Sequence, residues 1–291
     1  QDGRRKMLEI LKAIFFGIVE GITEWLPVSS TGHMILLNEF LTLEVSKSFW
    51  DMFLVVVQLG AILAVVLLFW TKIWPFGIKG GKGERTDVFL GKVRIKTDIF
   101  MMWFKIVAAC LPAILFKVLH LDEVCDRYFY NPIGVSIALI TFGIIFILVE
   151  NLNKNRTPIA FKISEITWKM ALLIGVFQLL AAAFPGTSRS GATIVGALLI
   201  GVSRTAASEF TFILAIPVMF GASLLEILDF GFHLTGLEVA ILATGMITAF
   251  IVSVVVIKLL LSYIRKHDFK VFGWYRIVLG IIVLLYFFLI K

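Results

Sequence analysis

Six separate runs of apolar residues limit this chain more than any other feature: Trp50–Trp70, Phe100–His120, Pro132–Glu150, Ala206–Leu228, Leu237–Leu261 and Phe272–Ile290. Each reaches the roughly twenty residues that a helix needs to cross the hydrocarbon layer of a bilayer. Inside that layer every backbone N–H and C=O must be satisfied within the protein, which leaves only helices or a closed barrel. Strands of about ten alternating residues, the signature of a barrel, are absent. Composition agrees, with 59% hydrophobic and only 16% charged residues, against about a quarter charged in soluble domains. Mean hydropathy is +0.98. The expected fold is an all-α polytopic membrane protein, a single membrane domain over residues 1–291.

Two further apolar stretches, Leu8–Leu43 and Trp168–Gly201, are broken by proline and small polar residues. They resemble each other. "GIVEGITEWLPVSSTGHMIL" aligns without a gap on "GVFQLLAAAFPGTSRSGATI", placing Gly17 on Gly175, Glu20 on Gln178, Pro27 on Pro185, Ser29 on Thr187 and Ser30 on Ser188. The match continues weakly, with Asp51 on Glu209 and "QLGA" (Gln58–Ala61) on "MFGA" (Met219–Ala222). An internal repeat outranks other signals when choosing a fold. Three spans separate the copies, so two re-entrant hairpins would enter from opposite faces. That predicts six transmembrane helices plus two re-entrant hairpins in an inverted-topology repeat, an arrangement that places broken helices and a site near the midplane. Repeat 1 covers about 8–120 with its hairpin at 8–43, and repeat 2 about 168–261 with its hairpin at 168–201.

The net charge of +7 sits mainly in connections. Lys72, Lys79, Lys82, Arg85, Lys92, Arg94 and Lys96 fall in the 71–99 loop; Lys154, Arg156, Lys162 and Lys169 in 151–169; Arg265, Lys266 and Lys270 in 262–271. Arg127 alone occupies 121–130, and 229–236 has none. The positive-inside rule places the first three loops in the cytoplasm and the last two outside. Arg4, Arg5 and Lys6 dissent. "QDGRRK" lacks an initiator Met, which leaves open whether residues 1–6 are native, and no cleavable signal peptide is expected after it. No basic patch is interleaved with aromatics, so nucleic acid is not an expected partner. Cys110 and Cys125 lack metal-ligand spacing and are expected to remain free.

Polar residues inside the broken stretches need an explanation, because a charge in the apolar layer costs at least about 2.5–3.5 kcal/mol. Glu20 and Glu24 lie i, i+4 on one helix face, and a cation or shared proton would relieve both burial and repulsion. Paired hard oxygens suit Mg²⁺ or Ca²⁺; the bland alternative is two solvated acids at a wet helix end. After Pro27, "VSSTGH" offers Ser29 or Ser30 as N-cap of a new half-helix, and "PGTSRSG" repeats the arrangement. Helix N-termini present free N–H groups to an anion. Two of them meeting would cradle a phosphate, with Arg189 adding a bidentate fork. Capping alone would explain one such cluster, but not two matched ones. His33, three positions after Ser30, could act as a base or attack phosphorus itself. His120, His233 and His267 sit at loop edges, where a structural role suffices. Gln58 and Glu209 are candidate supporting polar groups.

These residues are recognisable. "EGITEWLPVSSTGH" (Glu20–His33) and "PGTSRSGATI" (Pro185–Ile194) resemble the paired motifs of the bacterial undecaprenyl-diphosphate phosphatases, also called bacitracin-resistance proteins; "FILAIPVMFGA" (Phe212–Ala222) and "WYRIVLG" (Trp274–Gly280) are similar too. The resemblance covers nearly the whole chain. It implies hydrolysis of undecaprenyl diphosphate to undecaprenyl phosphate, the carrier for peptidoglycan synthesis. It also implies dependence on a divalent cation and a plasma-membrane site opening to the outer face. Residue by residue, it makes Glu20 and Glu24 metal or proton-transfer groups and Ser30 and His33 the catalytic pair. Arg189, flanked by Thr187, Ser188 and Ser190, would bind phosphate, with Ser29 and Thr31 beside it. Trp25, "AAAF" before Pro185 and the long 71–99 loop depart from the family pattern without touching this chemistry. Expected partners are the polyprenyl diphosphate, membrane lipid and a second copy in a homodimer. The rival expectation is a transporter or flippase that moves a lipid phosphate or anion without cleaving it.

Overall fold

The structure, a computed structural model, describes residues 2–78, 88–90, 93–231 and 233–289. Lys79, Lys82, Arg85 and Lys92 of the basic loop lie outside the described residues. Twelve α-helices are found among those described: α1 Asp2–Thr23, α2 Ser30–Phe40, α3 Lys47–Leu68, α4 Trp70–Ile73, α5 Thr97–Val118, α6 Leu121–Phe129, α7 Pro132–Leu152, α8 Trp168–Ala183, α9 Arg189–Leu199, α10 Arg204–Phe230, α11 Gly236–Ile264 and α12 Lys270–Leu289. Six of them, α3, α5, α7, α10, α11 and α12, are long and apolar enough to cross a membrane. These coincide with the six expected spans. Their outward faces carry large apolar side chains such as Leu67, Phe104, Ile251 and Trp274, as contact with lipid requires. The chain is an all-α, multi-pass membrane protein.

One departure is small. The basic loop contributes a three-stranded antiparallel sheet, β1 Phe76–Ile78, β2 Val88–Leu90 and β3 Val93–Ile95, in the order β1-β3-β2.

The two proline-broken stretches fold alike. α1 ends at Thr23, four residues before Pro27, which has no N–H to continue the helical ladder. α8 ends ahead of Pro185 in the same way. Each is followed by an 11-residue helix, α2 and α9, only about 16 Å long and too short to cross a bilayer. The ungapped sequence alignment slips by one residue at this point. Ser29 caps α2 through Gly32 N–H and Ser188 caps α9 through Gly191 N–H, both with φ near +72°. The extra residue is in the second turn, where Gly186 adopts φ +95°. Ser29, not Ser30, is therefore the counterpart of Ser188, and Ser30 shares the first helical position with Arg189. Downstream, Ser46 caps α3 and Ser203 caps α10 in matching fashion.

Packing crosses between the two halves. The most extensive helix pairs are α7 with α12, α1 with α11, α3 with α11, α5 with α8 and α3 with α10. The first broken stretch thus rests on a late helix and the second on an early one. Close backbone approach makes this possible. A Cβ at Gly17 would lie 2.5 Å from Gly245 O on α11, and one at Gly175 would lie 2.3 Å from Ala109 O on α5.

Two cores result. The larger gathers Trp25, Phe146, Phe210, Phe212 and Phe269; the smaller gathers Phe16, Phe49, Phe53 and Val57. Glu150, buried at the end of α7, takes both Arg204 Nε and Nη2 and the backbone N–H of Phe269. This joins α7, α10 and the turn before α12.

Candidate active site

Glu24 connects the two short helices. Its Oε2 accepts from Ser30 Oγ at 2.8 Å and its Oε1 from Arg189 Nη2 at 2.7 Å. One carboxylate therefore grips the first residue of α2 and the first residue of α9. The two N-termini meet over it; Ser29 and Ser188 cap Gly32 N–H and Gly191 N–H, leaving the earlier N–H groups of each first turn without an intrahelical partner. Ser190 Oγ reaches Glu24 O at 3.2 Å and lies 3.0 Å from Ser188 Oγ.

Arg276 on α12 fixes the turns from behind. This fully buried side chain donates to Pro27 O at 3.1 Å, Gly186 O at 2.9 Å and Thr187 O at 2.8 Å. A single guanidinium thus stitches both proline turns, using several of the five donors that only arginine offers. Its chain neighbour Tyr275 holds His33: the hydroxyl lies 2.7 Å from Nε2 and the rings stack at 2° between planes. His33 Nδ1 lies 2.7 Å from Ser29 O. A carbonyl only accepts, so Nδ1 carries the proton.

In front of this assembly is a cavity of about 350 Å³ lined by Glu24, Ser29, Ser30, Thr31, Gln178, Arg189 and residues around them. An adjoining chamber of about 390 Å³ shares Ser30, Thr31 and Gln58 and adds Glu20. Asp126 and Tyr130, from α6 and its end, line both at the mouth. Partial burial, then the neighbouring Asp122, raise the Asp126 carboxyl above the ordinary range. Burial, then Asp126 and Asp51, raise the Tyr130 phenol.

Several buried polar atoms here have no partner: Glu20 Oε1, Gln178 Oε1 and Nε2, Thr187 Oγ1 and Arg189 Nη1. Folded proteins pair nearly all such atoms. Gln178 and Arg189 line the first cavity and Glu20 the adjoining chamber, so these partnerless atoms face a space suited to a polar ligand.

Of the residues singled out from sequence, Glu24, Ser29, Ser30, Thr31, Ser188 and Arg189 line the cavity together, and Glu20 faces the adjoining chamber. Thr187 and Ser190 lie buried behind them. His33 is the exception. It does not line the cavity, both its ring nitrogens are engaged elsewhere, and Ser30 Oγ bonds to Glu24 instead. The three-residue spacing aligned Ser30 with His33 on the helix surface, but Tyr275 draws the ring away. Among the described residues no group of three or more His, Cys, Asp or Glu side chains could hold a metal ion; Asp51, Asp126 and Glu226 line the chamber with Glu20 but do not complete such a group.

Sequence reasoning passed over the roles of Arg276, Tyr275 and Asp126. Arg276 did leave a signal: an arginine inside an apolar run marks a functional or structural anchor by default.

Fold and site together define a multi-pass helical membrane protein with a polar cavity between two helix N-termini. Residues 13–282 match the family described as "Bacitracin resistance protein BacA", and the chain belongs to that family. It is 59% identical over 283 residues to "Undecaprenyl-diphosphatase 1" of Clostridium acetobutylicum, covering 97% of this chain and 99% of the relative. It is also 59% identical to the "Undecaprenyl-diphosphatase" of Desulfitobacterium hafniense, over 97% of each chain. The protein of that name in Enterococcus faecalis is 57% identical, over 96% of this chain and 97% of its own.

Proposed function

We propose that this protein hydrolyses undecaprenyl diphosphate to undecaprenyl phosphate and inorganic phosphate, recycling the lipid carrier of peptidoglycan synthesis and thereby conferring bacitracin resistance. The observation that carries the reading is Glu24 holding Ser30 and Arg189 at the meeting of two helix N-termini. The relatives bear the name of this hydrolase, which lends nothing to the transport alternative.

Arg189 Nη1 and the Gln178 amide, both without protein partners, bind the diphosphate oxygens, and the helix N-termini stabilise their charge. Ser30 Oγ attacks the terminal phosphorus while its proton passes to Glu24. The bond from that phosphorus to the bridging oxygen breaks and undecaprenyl phosphate leaves. Water then cleaves the phosphoserine, giving inorganic phosphate and restoring Ser30. His33 acts through Ser29 and Tyr275 as a positioning residue rather than as the base.

The partnerless Glu20 Oε1, beside Glu24, offers a hard oxygen of the kind that would suit a divalent cation, Mg²⁺ or Ca²⁺. Glu20 and Glu24 would hold it, and it would neutralise charge on the phosphates.

The two broken stretches are re-entrant hairpins of an inverted repeat. The α6 mouth opens to the outer face of the plasma membrane and the basic loops lie inside. The isoprenoid tail stays in the lipid layer between helices.

The test is phosphate release from a polyprenyl diphosphate by purified protein, with and without chelator. Turnover that survives Ser30→Ala and Glu24→Gln would remove the proposed nucleophile and base. Undiminished diphosphate binding by Arg189→Ala would remove the cradle.

A further inference from the structure

At the far end of α9 from the candidate active site, about 16 Å along the helix, lies a second polar cavity of about 340 Å³. Lys154, Arg156, Arg204 and Arg265 line it, against one carboxylate, Glu150. Glu150 is already committed: it is buried and engaged by Arg204 and Phe269 N–H. Arg156 Nη1 donates to Leu199 O at the end of α9, and Asp268 stands near Arg204. The side chains of Lys154 and Arg265 have no hydrogen-bond or ion-pair partner among the described residues. Ser203, Arg204 and Thr205, the N-terminal turn of the 27-residue α10, complete the lining. That turn adds backbone donors and the positive end of a helix dipole.

This concentration of positive charge belongs to one side of the molecule. At the matching start of α3, beside Ser46, Lys47 is exposed and the nearby Glu44 is paired with Arg5. Next to the basic cavity the surface becomes apolar: Leu152, Ile159 and Phe161 are exposed. Cations gathered over an apolar rim suit a phosphate group presented at a membrane surface.

We propose that this cavity is a second anion site, binding a phosphate group, carried by an anionic phospholipid headgroup or present as free phosphate. Lys154 and Arg265 supply the uncommitted charge, Arg156 and the α10 N-terminus the directional donors. Its ligand is distinct from the substrate bound at Glu24, and a phospholipid held here would tie together the ends of α7, α9, α10 and α11.

Full-length protein in detergent is examined by native mass spectrometry with dihexanoyl phosphatidylglycerol, inorganic phosphate, and dihexanoyl phosphatidylcholine as the zwitterionic control. Wild type and Lys154→Gln/Arg265→Gln are compared, with polyprenyl diphosphate hydrolysis as the check on folding. The expected result is an anion bound by wild type and weakened about tenfold or more in the double variant, while hydrolysis is unchanged. Retention of phosphatidylglycerol without phosphate identifies the lipid source, and retention of phosphate without phosphatidylglycerol the free anion. Should the double variant fail to fold, Arg265→Gln alone carries the comparison. No preference for the anions over phosphatidylcholine, or equal binding by wild type and variant, overturns the proposal.

Discussion

At the scale of single residues, the proposed mechanism divides the work between chemistry at Glu24, Ser30 and Arg189 and support from Arg276. Ser30→Ala is expected to lower turnover by about a thousandfold or more, because it removes the proposed nucleophile. His33→Gln and Tyr275→Phe should each cost much less, and the double variant little more than either alone, since both break one shared hydrogen bond. Steady-state phosphate release measures all three; a His33→Gln defect equal to Ser30→Ala, with Tyr275→Phe silent, returns His33 to the role of base. Arg276→Met should destabilise strongly. It leaves the carbonyls of Pro27, Gly186 and Thr187 without their donor, at about 1–3 kcal/mol for each unsatisfied group. Arg276→Lys is expected to restore little, because one ammonium cannot serve carbonyls spread over both turns. Thermal unfolding in detergent reads both variants.

At the scale of elements, the decisive feature is how closely the broken stretches lie against their neighbours. Gly175→Ala would drive a methyl group to 2.3 Å from Ala109 O, and Gly17→Ala to 2.5 Å from Gly245 O. In both cases the neighbour is backbone and cannot turn aside. Each substitution should lower the melting temperature and reduce activity, by shifting α8 or α1 and with it the turn that precedes the cavity. A matching loss at both positions is the specific expectation. α6 offers a pH test. The Asp126 carboxyl is raised by burial and by Asp122, with Lys117 opposing, so the folded protein holds this proton more tightly than the unfolded chain. The resulting stability is fully present at low pH and is lost as pH rises through the folded value. Asp126→Asn should therefore melt higher than wild type near neutrality, and the gap should close on acidification. A gap that widens towards acid contradicts the assignment.

At the scale of the whole molecule, the ends of the spans should face opposite compartments. Single cysteines placed at Lys154 and at Tyr128, in a background lacking Cys110 and Cys125, are expected to react with an impermeant maleimide from opposite sides of sealed vesicles. Tyr128 should label from outside and Lys154 from inside; labelling of both from one side breaks the proposed orientation. The same scale explains why the two halves are interdependent. Each broken stretch packs on a helix from the other half, and Arg276 near the C-terminus ties turns that are separated by more than half the chain. Neither half holds a complete cavity.

The spans and the broken stretches were legible from sequence because hydropathy and proline act locally: twenty apolar residues form a helix wherever they lie, and Pro27 and Pro185 end one regardless of context. The pairing of Glu24 with both Ser30 and Arg189 was not legible, since 165 positions separate Glu24 from Arg189 and only folding sets their separation. Nor was the one-residue slip between the repeats, which is absorbed by the positive φ of Gly186. His33 shows the limit most clearly. Its spacing from Ser30 is a local fact, but the hydrogen bond it makes belongs to Tyr275, and tertiary contact decides where a side chain with two available partners turns.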